Sequence, residues 1–141
     1  MNLTAQDVEY IIRQGVPLAE TIDLRVEHVS AEGARIRIPF RPAGTRPGGS
    51  LSGPVIMAAA DAAMYAAILG VLGRVEMAVT SNLNINFLQR PARRDLLASA
   101  RLLKLGRRLA FLEVELVTED DETLVAHATG SYALPSEAGG T

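Results

Sequence analysis

The sequence predicts an α+β fold in which a curved, mostly antiparallel sheet of six strands wraps around one long central helix. Three observations predict it. The stretch Pro54 to Gly73 carries a single charge, Asp61, in an otherwise uncharged and Ala-rich run. Six other stretches alternate apolar and polar residues with the period of half-buried strands. Two of them precede the apolar run and four follow it, and a helix that is apolar all round needs cover on every side.

The elements follow in order. Thr4 and Asp7 fit a capping box, Val8, Ile11 and Ile12 form one apolar stripe, and Gly15 with Pro17 marks the end of an N-terminal helix within residues 1–18. The period then changes to two. Ile22, Leu24 and Val26 alternate with charged residues, as do Ala34, Ile36, Ile38 and Phe40, and Ser30 to Gly33 reads as the hairpin turn between them. Arg41 to Ser50, rich in Gly and Pro, is a loop. After the long helix, strands are expected near 76–89, 95–105, 108–119 and 122–134. In the first of these Val79, Leu83, Ile85 and Phe87 form the core parity, whereas Thr80, Asn82, Asn84 and Asn86 form a polar one. The last two strands join through the acidic turn Glu119 to Glu122 as a hairpin. Residues 135–141 are small and polar and are expected to fray.

The 141 residues suit a single domain, 1–141, with enough chain to bury its own core. A formal charge of −2 and only 4% aromatic residues argue against nucleic-acid binding, which needs a basic field or stacking platforms. Without cysteine, disulfides, thiolate metal sites and cysteine nucleophiles are excluded together. The N-terminal sequence has no basic segment leading into an apolar one, so the expected location is cytoplasmic. The run Val55 to Leu72 approaches the length of a membrane span. Its central Asp61 and its lack of a flanking Lys or Arg cluster favour a buried core helix instead.

Asp61 is the first residue to explain. A buried, unpartnered carboxylate costs several kcal/mol or has to take up a proton. The two histidines, His28 and His127, fall on different strands without a metal-ligand or triad spacing, so neither a metal site nor a Ser-His-Asp triad is expected. The loop glycines Gly44, Gly48 and Gly49 match neither a Walker A nor a dinucleotide fingerprint.

Three stretches in the right order resemble the hotdog-fold acyl-CoA thioesterases of the PaaI-like group. Gly49-Ser50-Leu51-Ser52-Gly53-Pro54-Val55 followed by Ala60-Asp61 resembles that family's loop-to-helix motif, with an acid eight residues after the first Gly of a pair. Ala78 to Ala92 resembles the following strand, and Leu105 to Ala110 the turn between the next two. The resemblance covers roughly residues 20–134. It implies hydrolysis of an acyl-CoA thioester, with coenzyme A present only as part of the substrate and no other cofactor. It also implies self-association as a dimer or tetramer, with the site at a dimer interface.

The resemblance implies a catalytic role for Asp61, as base or nucleophile, and for Thr80, which matches the position of a hydroxyl that orients water. Gly53 would present its N–H at the positive end of the long helix, where a developing oxyanion is stabilised. Eight residues rise about 12 Å along a helix, so Asp61 and Gly53 of one chain cannot share one carbonyl, whereas two chains can supply them together. Arg46, Ser52, Asn82, Asn84, Arg90, Arg107 and Arg108 are the candidate substrate contacts, the arginines, with Arg93, for phosphate groups. Ser52 stands where the family usually has His, Pro54 where it has the second Gly, and Arg46 where it often has Asn. Ser52 is suited to cap the helix. These departures motivate a second reading, an acyl-thioester binding protein without turnover, and a third, a dimerisation module in which Asp61 is only a polar pin.

Overall fold

The computed structural model describes residues 2–136. Two short helices come first, α1 (Ala5–Gly15) and α2 (Pro17–Thr21), then strands β1 (Arg25–Val29) and β2 (Gly33–Ile38). The long helix α3 (Gly53–Leu72) follows, and then β3 (Val79–Phe87), β4 (Leu96–Leu105), β5 (Leu109–Thr118) and β6 (Ala126–Ala133). All six strands pair antiparallel in the order β1-β2-β4-β5-β6-β3, which leaves β1 and β3 as the two edges. The predicted α+β wrap is the observed architecture.

Helix α3 lies in the concave face of that sheet and packs on β2, β4 and β5. Ala59, Ala60, Ala63, Ala66 and Ala67 are fully buried, and side chains this small let the strands approach the helix closely. Met64, Ile68 and Leu69 fill the wider gaps. The sheet supplies Ile36, Ile38, Leu96, Leu112, Val114 and Leu116, each buried, on the alternate positions that face inward.

The sequence misplaces three boundaries and one face. Gly15 ends α1 as expected, but Pro17 opens a second helix instead of a loop, because proline is preorganised for a first helical turn. The first strand consequently begins at Arg25, and Ile22 lies in the turn before it. The last strand begins at Ala126, since Asp121 turns the chain by accepting the Thr123 N–H at 2.9 Å. The fourth correction concerns β3. Its register with β6 shifts between Thr80 and Asn82, leaving Ser81 as an extra residue in a bulge. A one-residue insertion reverses the facing of everything before it. Thr80 therefore leaves the row of Asn82 and Asn84 and turns to the helix side, while Val79 turns outward and is 55% exposed. Gly130 accommodates the bulge, because a Cβ there would stand 2.7 Å from the Asn82 carbonyl oxygen and 2.9 Å from the Met64 side chain. Of the tail expected to fray, residues 137–141 lie outside the described residues.

The capping box of α1 forms as read from Thr4 and Asp7. Helices α1 and α2 are fixed to the sheet by polar contacts. The Val26 N–H donates to Glu9 Oε1 at 2.7 Å, and Arg13 donates to Asp23 Oδ1 at 2.7 Å and to the Leu24 carbonyl at 2.9 Å. Asp23 also receives Arg25 and Arg41, and it holds a left-handed backbone (φ 57°) that turns the chain into β1. The Arg25 and Arg13 guanidinium groups hold its carboxyl at a pKa of about 2, below the usual carboxylate range. A depressed folded pKa stabilises the fold above the unfolded value near 4 and stops doing so as pH falls toward 2. Asp23→Asn is expected to cost about 1–2 kcal/mol at pH 7 in urea unfolding, with the gap to wild type closing between about pH 4 and pH 2. A gap independent of pH would remove the ionic account.

Candidate active site

Asp61 is half-buried on the face of α3 that meets β3 and β6. It is not the unpartnered carboxylate that the sequence suggested. The Thr80 hydroxyl donates to Asp61 Oδ1 at 2.7 Å, and the Tyr132 hydroxyl lies 2.7 Å from the same oxygen and 3.2 Å from the Asp61 carbonyl. Among the described residues no hydrogen bond reaches Oδ2, so one carboxylate oxygen is fixed and the other is uncommitted.

The bulge makes this possible. Thr80 pairs with Tyr132 across β3 and β6, so both side chains leave the sheet on the helix side. Tyr132 is a site residue that sequence periodicity does not single out. It alternates with Ala126 and Ala128, a period that matches a buried position. The overlooked signal was its hydroxyl, which a buried tyrosine must satisfy. Burial, followed by the charge of Asp61, pushes the phenol pKa up, so Tyr132 stays a proton donor. The Tyr65 ring stacks on it with centroids 6.0 Å apart, and the Tyr65 hydroxyl donates to the Glu76 carbonyl at 2.9 Å.

Asp61, Thr80, Tyr132 and Tyr65 line one end of a cavity of about 490 Å³. Its other walls come from α1, α2 and the segment leading into β3.

Gly53 belongs to a different cavity, of about 350 Å³, shared with Arg46, Ser50, Phe87 and Arg90. The first turn of α3 explains what Gly53 offers. The Ser52 N–H donates to the Gly44 carbonyl, Pro54 has no N–H, and the Val55 N–H is capped by Ser52 Oγ at 3.4 Å. The Ile56 N–H returns to the Ser52 carbonyl. Only the Gly53 N–H has no acceptor among the described residues, and the dipole of a twenty-residue helix stands behind it.

The remaining candidates divide between the two ends of the sheet. Arg46 and Arg90 are exposed at the Gly53 end, with Arg93 close to Gly48 and Gly49. Arg107 and Arg108 are exposed in the turn between β4 and β5, at the Thr80 end, and line neither cavity. None of these five arginines forms an ion pair among the described residues, whereas Arg13, Arg25, Arg35, Arg37, Arg41, Arg74 and Arg101 all do. Asn82 and Asn84 pair with Ser131 and Thr129 on the opposite face from Thr80 and enter neither cavity.

Comparison with known proteins gives a consistent result. A family model described as the Thioesterase superfamily matches residues 48–125, a span that includes Gly53, Asp61 and Thr80. A candidate esterase of Saccharolobus solfataricus is 30% identical over 127 residues, covering 90% of this chain and 89% of its own. The crystal structure of a candidate thioesterase from Silicibacter superposes with a TM-score of 0.85 at 35% identity, covering 94% of this chain and 92% of that one. The phenylacetic acid degradation protein PaaI from Thermus thermophilus superposes with a TM-score of 0.72 at 27% identity, covering 83% and 97%.

Tyr132→Phe keeps the ring and removes the hydroxyl. It is expected to lower unfolding stability in urea by about 1.5–3 kcal/mol, the range for a hydrogen bond to a charged group. A double-mutant cycle with Asp61→Ala is expected to show coupling above about 0.5 kcal/mol. Additive losses would show that phenol and carboxylate do not interact.

Proposed function

The chain belongs to the thioesterase superfamily of hotdog-fold thioester hydrolases, and from that premise we propose that it cleaves acyl-CoA thioesters with a site shared by two protomers. Asp61 of one protomer activates water, or attacks the thioester directly, through its uncommitted Oδ2. The Gly53 N–H of the other polarises the carbonyl and takes up the developing negative charge. Water attack adds OH to the acyl carbon and breaks the carbon–sulfur bond, and the thiolate leaves and is protonated as free coenzyme A. No cofactor takes part.

One observation carries this reading. The carboxylate and the free helix amide lie in separate cavities at opposite ends of β3, so neither end of one chain has both parts. Strand β3 is a sheet edge, with its outer backbone groups available to a further strand. Pairing of two β3 edges about a two-fold axis runs the strands antiparallel, which sets the Thr80 end of one against the Phe87 end of the other. Asp61 of one protomer then approaches Gly53 of its partner. The same operation gathers Arg46, Arg90 and Arg93 of one chain with Arg107 and Arg108 of the other, and these guanidinium groups, free of ion pairs among the described residues, suit the phosphates of coenzyme A.

The non-catalytic binding reading rests on Ser52, Pro54 and Arg46. Ser52 Oγ engages the Val55 N–H and Pro54 has none, so the Gly53 N–H is the one amide of that turn without an acceptor among the described residues, which supports the turnover reading. Asp61→Asn is expected to lower kcat for thiol release by at least ~10²-fold while the protein still folds. Gly53→Pro removes the amide donor at a helical position that tolerates proline and is expected to be similarly impaired. A purified heterodimer of these two variants holds one intact site and one doubly defective site if the parts come from different chains. It is then expected to recover about half of wild-type activity. A heterodimer no more active than its parents would rule out the shared site.

A further inference from the structure

We propose that helices α1 and α2 form the wall that selects the acyl group, and that the group it admits is uncharged and longer than acetyl. This rests on the hydrolytic reading above, which places the reacting carbonyl at Asp61.

The cavity that ends at Asp61 has about 490 Å³, within the range of roughly 300–1,000 Å³ typical of small-molecule sites. An acetyl group would leave most of it empty. Its floor is the face of α3 that carries Ala58, Asp61, Ala62 and Tyr65, residues at three- and four-position spacings, and the two alanines leave the space open. Its far wall is aliphatic. Ile11 and Ile12 of α1 are buried at its depth, and Val16 and Leu18 stand at its rim, 36% and 53% exposed. Exposed apolar side chains gathered at the mouth of a cavity fit an apolar ligand better than water.

The charges set the selection. Asp61 and Glu76 are the acidic groups in the lining, and no Arg, Lys or His lines it. The Arg74 guanidinium outside it is committed to Glu76. A carboxylate at the far end of an acyl group would be desolvated without a cationic partner and would face like charge, so dicarboxylic acyl groups are rejected. The wall is also preformed. Glu9 bonds to the Val26 amide, and Arg13 bonds to Asp23 and Leu24, so α1 is tied to β1 before any ligand arrives.

The test follows thiol release from acetyl-, butyryl-, octanoyl- and succinyl-CoA by wild type, Ala62→Leu and Leu18→Ala. For wild type, kcat/KM is expected to rise about fourfold per methylene until the cavity is full. Succinyl-CoA is expected to fall at least 100-fold below butyryl-CoA, which has the same length. Ala62→Leu fills the floor and is expected to lower the octanoyl-to-acetyl ratio at least tenfold. Leu18→Ala, at a partly exposed position that tolerates truncation, is expected to lower that ratio severalfold and carries the test if Ala62→Leu does not fold.

Thiol release with an unchanged chain-length profile in the folded variants would overturn the wall and leave the hydrolytic reading standing. Succinyl-CoA cleaved as fast as butyryl-CoA would overturn the charge selection. If wild type releases no thiol from any of the four, the hydrolytic reading fails and melting temperature replaces rate as the readout. Octanoyl-CoA stabilising wild type more than acetyl-CoA does, with the difference lost in the variants, then supports the wall. Equal stabilisation by both overturns it.

Discussion

Everything at the site depends on how a helix without a polar face accommodates one charge. Helix α3 is wrapped by the sheet, and nine of its residues are buried. A carboxylate on it needs donors from outside the helix, since the helix's own amides are committed to its backbone bonds. The donors come from β3 and β6, at an edge of the sheet where a cavity begins. Thr80 and Tyr132 both bind Oδ1, so the same contacts that make the charge tolerable also distinguish its two oxygens. The fold thereby turns an energetic cost into an oriented carboxylate.

That arrangement rests on a single extra residue. Without the bulge at Ser81, strict alternation would place Thr80 on the outer face beside Asn82 and leave Tyr132 as the only donor. The bulge also turns Val79 outward at the sheet edge, where a second strand can cover it. One local irregularity therefore completes the partners of Asp61 and shapes the sheet edge beside it.

What the sequence made legible was local. The capping box at Thr4 and Asp7, the cap at Ser52, the hairpins and the long apolar helix depend on residues within a few positions of one another, and all of them formed. Asp61 stood out because its surroundings carry no other charge. What stayed hidden was set by pairing between distant segments. The facing of Thr80 follows from the β3–β6 register, which no run of nine residues specifies by itself. Tyr132 is not legible as a site residue because apolar periodicity treats a tyrosine as a ring and ignores the hydroxyl at its tip. Helix α2 is not legible because Gly15 and Pro17 read equally well as the end of one helix and as the start of another.

The departures at Ser52 and Pro54 become coherent when the amides of the first turn of α3 are followed one by one. A helix start exposes several N–H groups that its own carbonyls cannot reach. Here Ser52 gives its N–H to Gly44, its hydroxyl occupies the Val55 N–H, and proline removes the one between. A glycine in place of Pro54 would add a second free N–H next to that of Gly53. With Pro54, a single amide remains and the helix dipole is directed through it. On the proposed hydrolytic reading, a lone amide stabilises an oxyanion less than a pair would and leaves more of the barrier to the carboxylate. There two hydroxyl donors hold one oxygen of Asp61 in place, and no hydrogen bond among the described residues engages the other.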